Sequence, residues 1–229
     1  MISVVIPTMW KFEPFTDMLK HMVELTCIDE IIIINNNSQE TPQDKLNEIN
    51  SPKIQMYDFG RNMFVNGSWN FGVATAKNDK ICIMNDDLII DLKVFLTGDE
   101  HCQPKRLLGF QYERDHTGAL RNPEHINTGT MNVVPLNEAR DNAYHWGSCF
   151  FIHKSDWIDI PQGLEFYYGD NWVGDTIEAR GGNIWVITDA FAYTPTSQTC
   201  KEFHSDMLLG REGFIYERLI KNYRERNGL

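Results

Sequence analysis

The first hundred residues alternate between short, continuous apolar runs and segments whose apolar residues recur at helical spacing. The apolar runs, which are typical of strands covered on both faces, are Ile2–Ile6, Ile31–Ile34, Ile54–Tyr57 and Ile81–Met84. Between them, the pattern predicts helices over residues 15–23, 43–49 and 65–76. This alternation predicts an α/β fold with a Rossmann-like, mainly parallel central sheet that is flanked by helices on both faces.

The second half of the chain has a less regular pattern. Short strands are predicted near residues 107–111, 131–134, 147–152, 184–187 and 190–193. One helix is predicted to start at Lys154, and another to run from about Asn171 to Arg180, where two glycines follow. Apolar residues between Tyr216 and Tyr223 predict a last helix. The chain has no internal repeat and no clear linker, so we expect one domain over residues 1–229.

The composition narrows the class of protein. Hydrophobic residues make up 42% and charged residues 23% of the chain, as in ordinary globular proteins. The net charge of −11 argues against broad binding to phosphate backbones or anionic membranes. The five cysteines are scattered and form no CxxC pair, which favours reduced thiols over a zinc site or disulfides. With no secretory signal and no membrane span in the pattern, we expect a cytoplasmic protein without an integral membrane segment.

Polar clusters follow three of the predicted strands. They are Pro7-Thr8, Asn35–Ser38 and Asn85–Asp87. Because ligands of open α/β sheets bind at the carboxyl ends of parallel strands, we expect these clusters to line one site. In the third cluster two adjacent carboxylates repel each other, and their oxygen atoms suit Mg²⁺ or Mn²⁺. The alternative is a surface turn, since Asn and Asp are also common turn residues.

The order of these motifs continues into the second half of the chain. The segments, spread over residues 2–193, read SVVIPT, EIIIINNNS, NGSWNFGVATAKNDKICIMNDD, GSCFFI and FYYGDNW. Together they resemble a GT-A-fold glycosyltransferase, closest to family 2. The resemblance implies the GT-A fold of nucleotide-diphospho-sugar transferases, with a nucleotide-binding half (1–96) and an acceptor and catalytic half (97–229). It also implies a metal-dependent, inverting sugar transfer from a nucleoside-diphosphate sugar, by default a UDP-sugar, to an acceptor hydroxyl.

The resemblance assigns roles to individual residues. Those implied to bind the nucleotide sugar are Pro7, Thr8, Asn35, Asn36, Asn70, Asn85, Asp86, Gly147, Ser148 and Trp172. Asn35 and Asn36 replace two aspartates of the family, but an amide carbonyl can still accept the N3–H of a pyrimidine. Asp87 is the implied ligand of Mn²⁺ or Mg²⁺, and His204 is the candidate to complete the metal's ligand set. The alternative to nucleotide binding by the asparagines is a capped loop before a helix. The alternative to metal binding by His204 is an ordinary surface or core position.

Asp170 is the implied catalytic base, which would take the proton of the acceptor hydroxyl. Gly169 stands where the family commonly has Glu. Aromatic neighbours such as Tyr167 and Tyr168 would raise the pKa of Asp170 by desolvation. The alternative is that Asp170 caps the helix that follows. Asp175, inside that helix, is the second candidate for the base.

Two other functions stay open beside this assignment. The Asn replacements and Gly169 also fit a catalytically degenerate module that only binds a nucleotide. A third possibility is a phage-type enzyme that transfers sugar onto modified bases of DNA. The basic residues that would serve it are Lys201, Arg211, Arg218, Lys221, Arg224 and Arg226, but interleaved acids favour a solvated helix face. A dehydrogenase and a P-loop kinase are disfavoured because neither GxGxxG nor GxxxxGK[ST] occurs.

Overall fold

The computed structural model describes residues 1–37, 39, 42–110, 131–139, 146–190, 192–194 and 206–228. In this part of the chain the first strands are β1 (Ile2–Thr8), β2 (Ile28–Asn35), β3 (Ile54–Asp58), β4 (Lys80–Met84) and β5 (Ile89–Ile90). The later strands are β6 (Arg106–Phe110), β7 (Asn132–Pro135), β8 (Cys149–His153), β9 (Asn183–Thr188) and β10 (Ala192–Tyr193). The helices are α1 (Phe15–Glu24), α2 (Gln43–Ile49), α3 (Phe64–Thr75), α4 (Lys93–His101), α5 (Gly169–Ala179) and α6 (Asp206–Arg226).

Strands from both halves of the chain form one sheet, in the order β3-β2-β1-β4-β8-β6-β9-β7. The neighbours β3, β2, β1 and β4 are all parallel, and so are β6 and β9. Strand β8 runs antiparallel between β4 and β6, and β7 is antiparallel to β9. The predicted α/β fold with a mainly parallel central sheet is therefore confirmed, with antiparallel strands added in its second half.

A hydrophobic core lies on each face of this sheet, because successive strand residues point to opposite faces. Val4, Ile31 and Ile33 pack with α1 and α4 on one face. Val5 and Ile32 pack with α3, α5 and α6 on the other. Burial on both faces explains why these strands read as unbroken apolar runs in the sequence.

The helical elements differ from the expectations at three places. The helix predicted to start at Lys154 is wrong, since residues 154–156 form only one 3-10 turn. Helix α5 begins at Gly169, two residues before the predicted start. Helix α4 was not predicted, because it buries only Val94, Phe95 and Gly98. Gly98 permits the contact, as a Cβ there would lie 2.2 Å from the Phe151 ring.

Two expectations from composition can be compared with the described residues. The four cysteines among them, Cys27, Cys82, Cys102 and Cys149, are free and buried. Among the described helices, none has both the length and the apolar character that crossing a membrane requires.

Candidate active site

Side-chain hydrogen bonds tie together the carboxyl ends of β1 and β4. The Thr8 hydroxyl donates to Asp86 Oδ2 over 2.6 Å, and the Met9 N–H donates to the same oxygen over 3.3 Å. The Trp10 N–H in turn donates to Thr8 Oγ1 over 2.9 Å. Pro7 lies in the same strand, opposite Ile34 of β2. Two of the three predicted polar clusters, after β1 and β4, are thus in direct contact.

The third cluster joins the same edge through β2 and β3. The backbone N–H of Asn36 donates to the Thr8 carbonyl over 2.8 Å. Asn35 Nδ2 donates to Asp58 Oδ2, at the end of β3, over 2.9 Å, and Asn35 Oδ1 accepts the Asn37 N–H over 3.0 Å. The ends of β3, β2, β1 and β4 are therefore linked laterally, in the order in which the strands lie in the sheet.

Asn36 is directed to the start of α3. Its Oδ1 accepts the Met63 N–H over 2.8 Å, and its Nδ2 donates to Ser68 Oγ over 3.0 Å. The side chain is buried, with 6% of its surface exposed. In this structure both polar atoms of Asn36 hold protein groups, so the contact with a base that the resemblance implies stays a prediction.

Residues 147 and 148 bring Asp170 to this edge of the sheet. Strand β8 is antiparallel to β4, so its first residues lie beside the carboxyl end of β4. The Asn85 N–H donates to the Ser148 carbonyl over 2.9 Å. At Gly147, an added Cβ would lie 2.3 Å from Asp170 Oδ2, so the carboxylate packs directly against this glycine. Asp170 is thereby brought to the edge that holds Asn85–Asp87, although it lies more than eighty residues away in the chain.

Burial changes the acidity of Asp170. Its Oδ1 accepts the N–H of Asn171 over 2.9 Å. Desolvation outweighs this hydrogen bond and raises the pKa of Asp170 above its ordinary value. A carboxylate with a raised pKa is a stronger base, as a group that takes a hydroxyl proton requires. Asp170 lies in the first turn of α5 and Tyr168 precedes the helix, so Asp170 is not the N-cap residue of the alternative interpretation.

Burial also raises the pKa of Asp86, to about 6. The negative charge of Asp87 contributes to this rise in pKa, while the hydrogen bonds from Thr8 and Met9 oppose it. Asp86 has 9% of its surface exposed, and Asp87 is half-buried. The carboxylates of Asp86 and Asp87 therefore lie close enough at this strand end for the charge of Asp87 to disfavour the charged form of Asp86.

The carboxylates of Asp86 and Asp87 fit a hard divalent cation by their chemistry. Mg²⁺ is usually held by one or two carboxylates together with water and substrate phosphates. No group of three or more His, Cys, Asp or Glu side chains placed to hold a metal occurs among the described residues. The protein oxygens therefore suit an ion that is bound jointly with a diphosphate. His204, the predicted additional ligand, lies outside the described residues.

Two predicted binding residues serve the protein's own structure. Asn70 exchanges hydrogen bonds with the backbone of Ile160, both over 2.9 Å. Trp172 has 4% of its surface exposed and packs edge-on against Tyr223 at 5.5 Å, so its ring offers little surface to a sugar. Gly72 permits close packing of α3 on the sheet, since a Cβ there would lie 2.2 Å from Val5. These contacts support a hydrogen-bonding role within the protein for Asn70 and packing roles for Trp172 and Gly72.

Three polar residues of the site were missed from the sequence. Asp58 ends β3 as an exposed acid, and Asn66 and Glu212 are buried on α3 and α6. The sequence carried one usable signal, since Asn66 falls on the same helical face as the apolar Trp69 and Val73. The sequence carried no such signal for Glu212, because acidic residues are common along α6.

Asn66 explains why residue 169 is glycine. A Cβ at Gly169 would lie 2.0 Å from Asn66 Oδ1. Asn66 cannot easily move, since its Nδ2 donates to the carbonyls of Leu164 and Tyr167, each over 3.1 Å. The space that the glutamate of the family would need is therefore filled by Asn66.

Comparison with known proteins connects this edge of the sheet to a family. Residues 3–98 match the family model described as Glycosyl transferase family 2. The predicted resemblance to a GT-A-fold, family 2-like glycosyltransferase is confirmed. No protein of curated function matches the sequence significantly.

Solved structures show the same fold at low sequence identity. GalNAc-T7, crystallised with UDP, GalNAc and Mn²⁺, matches with a TM-score of 0.59 and 12% identity, over 84% of this chain and 42% of that chain. TarS of S. aureus matches with a TM-score of 0.64 and 16% identity, over 96% and 38%. TarS 1–349 with UDP-GlcNAc matches with a TM-score of 0.56 and 13% identity, over 82% and 58%. At these identities the likeness establishes the GT-A fold, and this chain spans about 40–60% of the neighbours' length.

Proposed function

We propose that this protein transfers a sugar from a nucleoside-diphosphate sugar, by default a UDP-sugar, to an acceptor hydroxyl with inversion. The observation that carries the proposal is the placement of Asp170 against Gly147, at the edge where Asn85–Asp87 ends β4. A candidate base and a candidate diphosphate site thereby come from distant parts of the chain to one edge. GT-A neighbours crystallised with UDP, UDP-GlcNAc or Mn²⁺ support the same donor class.

In the proposed reaction, Asp170 takes the proton of the acceptor hydroxyl as that oxygen forms its bond to the anomeric carbon. The bond between the anomeric carbon and the diphosphate oxygen breaks on the opposite face, and its electron pair leaves with the nucleoside diphosphate. The raised pKa of Asp170 favours its role as proton acceptor. Attack from the face opposite the leaving group inverts the anomeric centre, so one carboxylate suffices.

Asp87 would hold the Mn²⁺ or Mg²⁺ ion, with Asp86 beside it. A bound divalent ion supplies charge that stabilises the departing diphosphate. The hydroxyl of Thr8 and the N–H of Met9 fix the Asp86 carboxylate in place before any ligand arrives. This pre-arrangement of oxygen ligands supports tight binding, because less side-chain freedom is lost when the ion and the diphosphate bind.

Asp58 and Asn35 are the groups that the sheet edge offers to the base of the nucleotide. Asp58 Oδ1 accepts the Gly60 N–H over 2.7 Å, and Oδ2 accepts from Asn35. A carboxylate has about four acceptor positions, so this exposed group can still accept the N3–H of uracil. The family's acidic acceptor would then be supplied by β3 instead of β2. On this proposal, residues 1–96 bind the nucleotide. Residues 97–229 supply the catalytic base and the acceptor site, within the same domain.

The test is calorimetric titration of the protein with UDP, TDP, GDP, CDP and ADP, each with and without Mn²⁺. We expect one diphosphate to bind, at least about tenfold more tightly with Mn²⁺, and to lose that gain in Asp87→Asn. Asp91→Asn, in a loop just beyond the site, is the matched control that should retain it. If no diphosphate binds under either condition, the proposed donor site is wrong. Metal-dependent binding with no transfer to any acceptor would indicate the degenerate binding module instead.

A further inference from the structure

The segment 164–168, which leads directly into Asp170, is held by buried polar side chains from two helices. From α6, Glu212 Oε2 accepts the N–H groups of Phe166 over 3.1 Å and Tyr167 over 2.7 Å. From α3, Asn66 Nδ2 donates to the carbonyls of Leu164 and Tyr167. The backbone N–H of Asn66 also donates to the Glu165 carbonyl over 3.2 Å. The backbone of this segment therefore depends on side chains far away in the sequence.

The placement of Glu212 is costly for the protein. Its side chain is fully buried, and a buried carboxylate is unfavourable unless hydrogen bonds and charges compensate it. Two backbone N–H groups bind one oxygen, and the Arg211 guanidinium lies 3.9 Å from the other, which has no hydrogen-bond partner. A neutral apolar side chain would fill the same space at lower cost, but it would remove the oxygen that accepts the two N–H groups.

The last residue of this segment, which directly precedes α5, also depends on α6. Tyr168 has a φ of 61°, in the left-handed region that residues other than glycine rarely adopt. Its ring stacks on Tyr216 of α6, with centroids 5.1 Å apart. Gly213 makes room for the Tyr168 hydroxyl, since a Cβ there would lie 2.8 Å from it. Strained backbone persists only where surrounding contacts fix it, and here those contacts come from Glu212 and its neighbours on α6.

We propose that Glu212 is a positioning residue that fixes segment 164–168 and thereby presents Asp170 against Gly147. Its importance for catalysis rests on the proposed transfer function, but its effect on the segment does not. The two N–H groups that it binds lie only three and four residues before Asp170. Loss of both hydrogen bonds would release the strained Tyr168 and change where α5 begins.

The first readout is amide hydrogen exchange in the complete chain, with Glu212→Leu, Glu212→Gln and the exposed control Glu217→Gln. In Glu212→Leu, we expect the amides of Phe166 and Tyr167 to exchange at least about tenfold faster, while those of β1 and β4 keep their protection. Glu212→Gln should preserve the protection, because its carbonyl can accept both N–H groups. Should Glu212→Leu fail to fold, Glu212→Asp shortens the carboxylate by one methylene and serves the same comparison.

The second readout separates positioning from general stability. In Glu212→Leu, we expect kcat to fall about 10- to 100-fold while KM for the donor stays within about twofold, because donor contacts lie on β1–β4. Glu212→Gln should restore kcat to within about threefold of the wild type. A merely structural defect would also lower the apparent kcat at constant KM, so kcat is expressed per folded molecule, with the folded fraction taken from the unfolding curve. On that basis a structural defect leaves kcat unchanged, whereas a positioning defect does not.

Unchanged exchange at Phe166 and Tyr167 in Glu212→Leu would refute the proposal. Faster exchange with an unchanged kcat would refute the link to Asp170. If the wild type transfers no sugar from any donor, the proposed function fails, and the exchange experiment still decides whether Glu212 fixes the segment.

Discussion

At the residue scale, the chemistry of the site depends on how single side chains are buried. Asp170 and Asp86 both have raised pKa values because burial disfavours their charged forms. They differ in their partners, since Asp86 accepts hydrogen bonds from Thr8 and Met9, whereas Asp170 packs against Gly147 and accepts from Asn171. The proposed roles follow from this difference: Asp86 is held in a fixed place, and Asp170 is a base.

The raised pKa of Asp170 has a consequence for stability. The folded state binds a proton at Asp170 more tightly than the unfolded chain does. This contribution is fully present below the unfolded pKa of about 3.9 and is lost as the pH rises through the folded-state pKa. We therefore expect Asp170→Asn to melt above the wild type at pH 8, with the difference shrinking toward pH 4.5. Thermal unfolding of both proteins between these pH values measures this difference in melting temperature. Equal melting temperatures at pH 8 would contradict the claim that burial raises the pKa of Asp170.

Gly169 and Asn66 form a pair that should show strong energetic coupling. A methyl group at Gly169 collides with Asn66 Oδ1, so we expect Gly169→Ala to cost about 1–3 kcal/mol of stability. In an Asn66→Ala background the same change should cost at least about 1 kcal/mol less, because the obstructing oxygen is gone. Urea unfolding of the two single variants and the double variant measures the coupling. Additive effects would mean that Asn66 does not exclude a side chain at 169.

At the scale of elements, the four parallel strands are joined at their carboxyl ends by polar pairs as well as by the backbone ladder. The contact between β2 and β3 shows how the chain tolerates Asn where the family has Asp. Asn35 must donate to Asp58, which an aspartate at position 35 could not do. The departure from the family at position 35 thus has a local physical reason in the neighbouring strand.

Restoring the family residue should therefore destabilise the protein. Asn35→Asp places a buried carboxylate about 3 Å from the exposed carboxylate of Asp58, with an expected loss of about 1–3 kcal/mol at pH 7. Asn35→Asp combined with Asp58→Asn reverses donor and acceptor and should recover most of that loss. Chemical denaturation of these variants, with Asp58→Asn alone as the control, tests the pair. A double variant no more stable than Asn35→Asp would disprove it.

The elements differ in how far their sequences predict them. Strands β1–β4 were predicted because burial on both faces makes each one a continuous apolar run. Helix α4 was missed because few of its residues are buried. The polar contacts of Asn66 and Glu212 could not be predicted, since their partners at residues 164–167 lie 45 to 101 residues away. A buried acid on a charged helix has the same local pattern as an exposed one.

At the scale of the whole molecule, the sheet gathers residues from position 8 to position 170 at one edge. Several basic side chains of α6 lie close to acidic side chains, which argues against a nucleic-acid groove among the described residues. Arg211 approaches Glu165, Lys221 approaches Glu225, and Arg224 binds Asp175. Lys201 lies outside the described residues. These ion pairs and the net charge of −11 argue against binding of a DNA backbone along α6.

The most direct measurement of the central claim is sugar transfer by wild type and Asp170→Asn. The donor would be the nucleotide sugar of the base that calorimetry selects, with a panel of saccharide and DNA acceptors. We expect transfer by the wild type with inversion at the anomeric carbon, and a loss of at least about 10²-fold in kcat in Asp170→Asn with donor binding retained. The exposed control Asp159→Asn should keep full activity. Transfer by Asp170→Asn at the wild-type rate, or a product with retained configuration, would contradict the account.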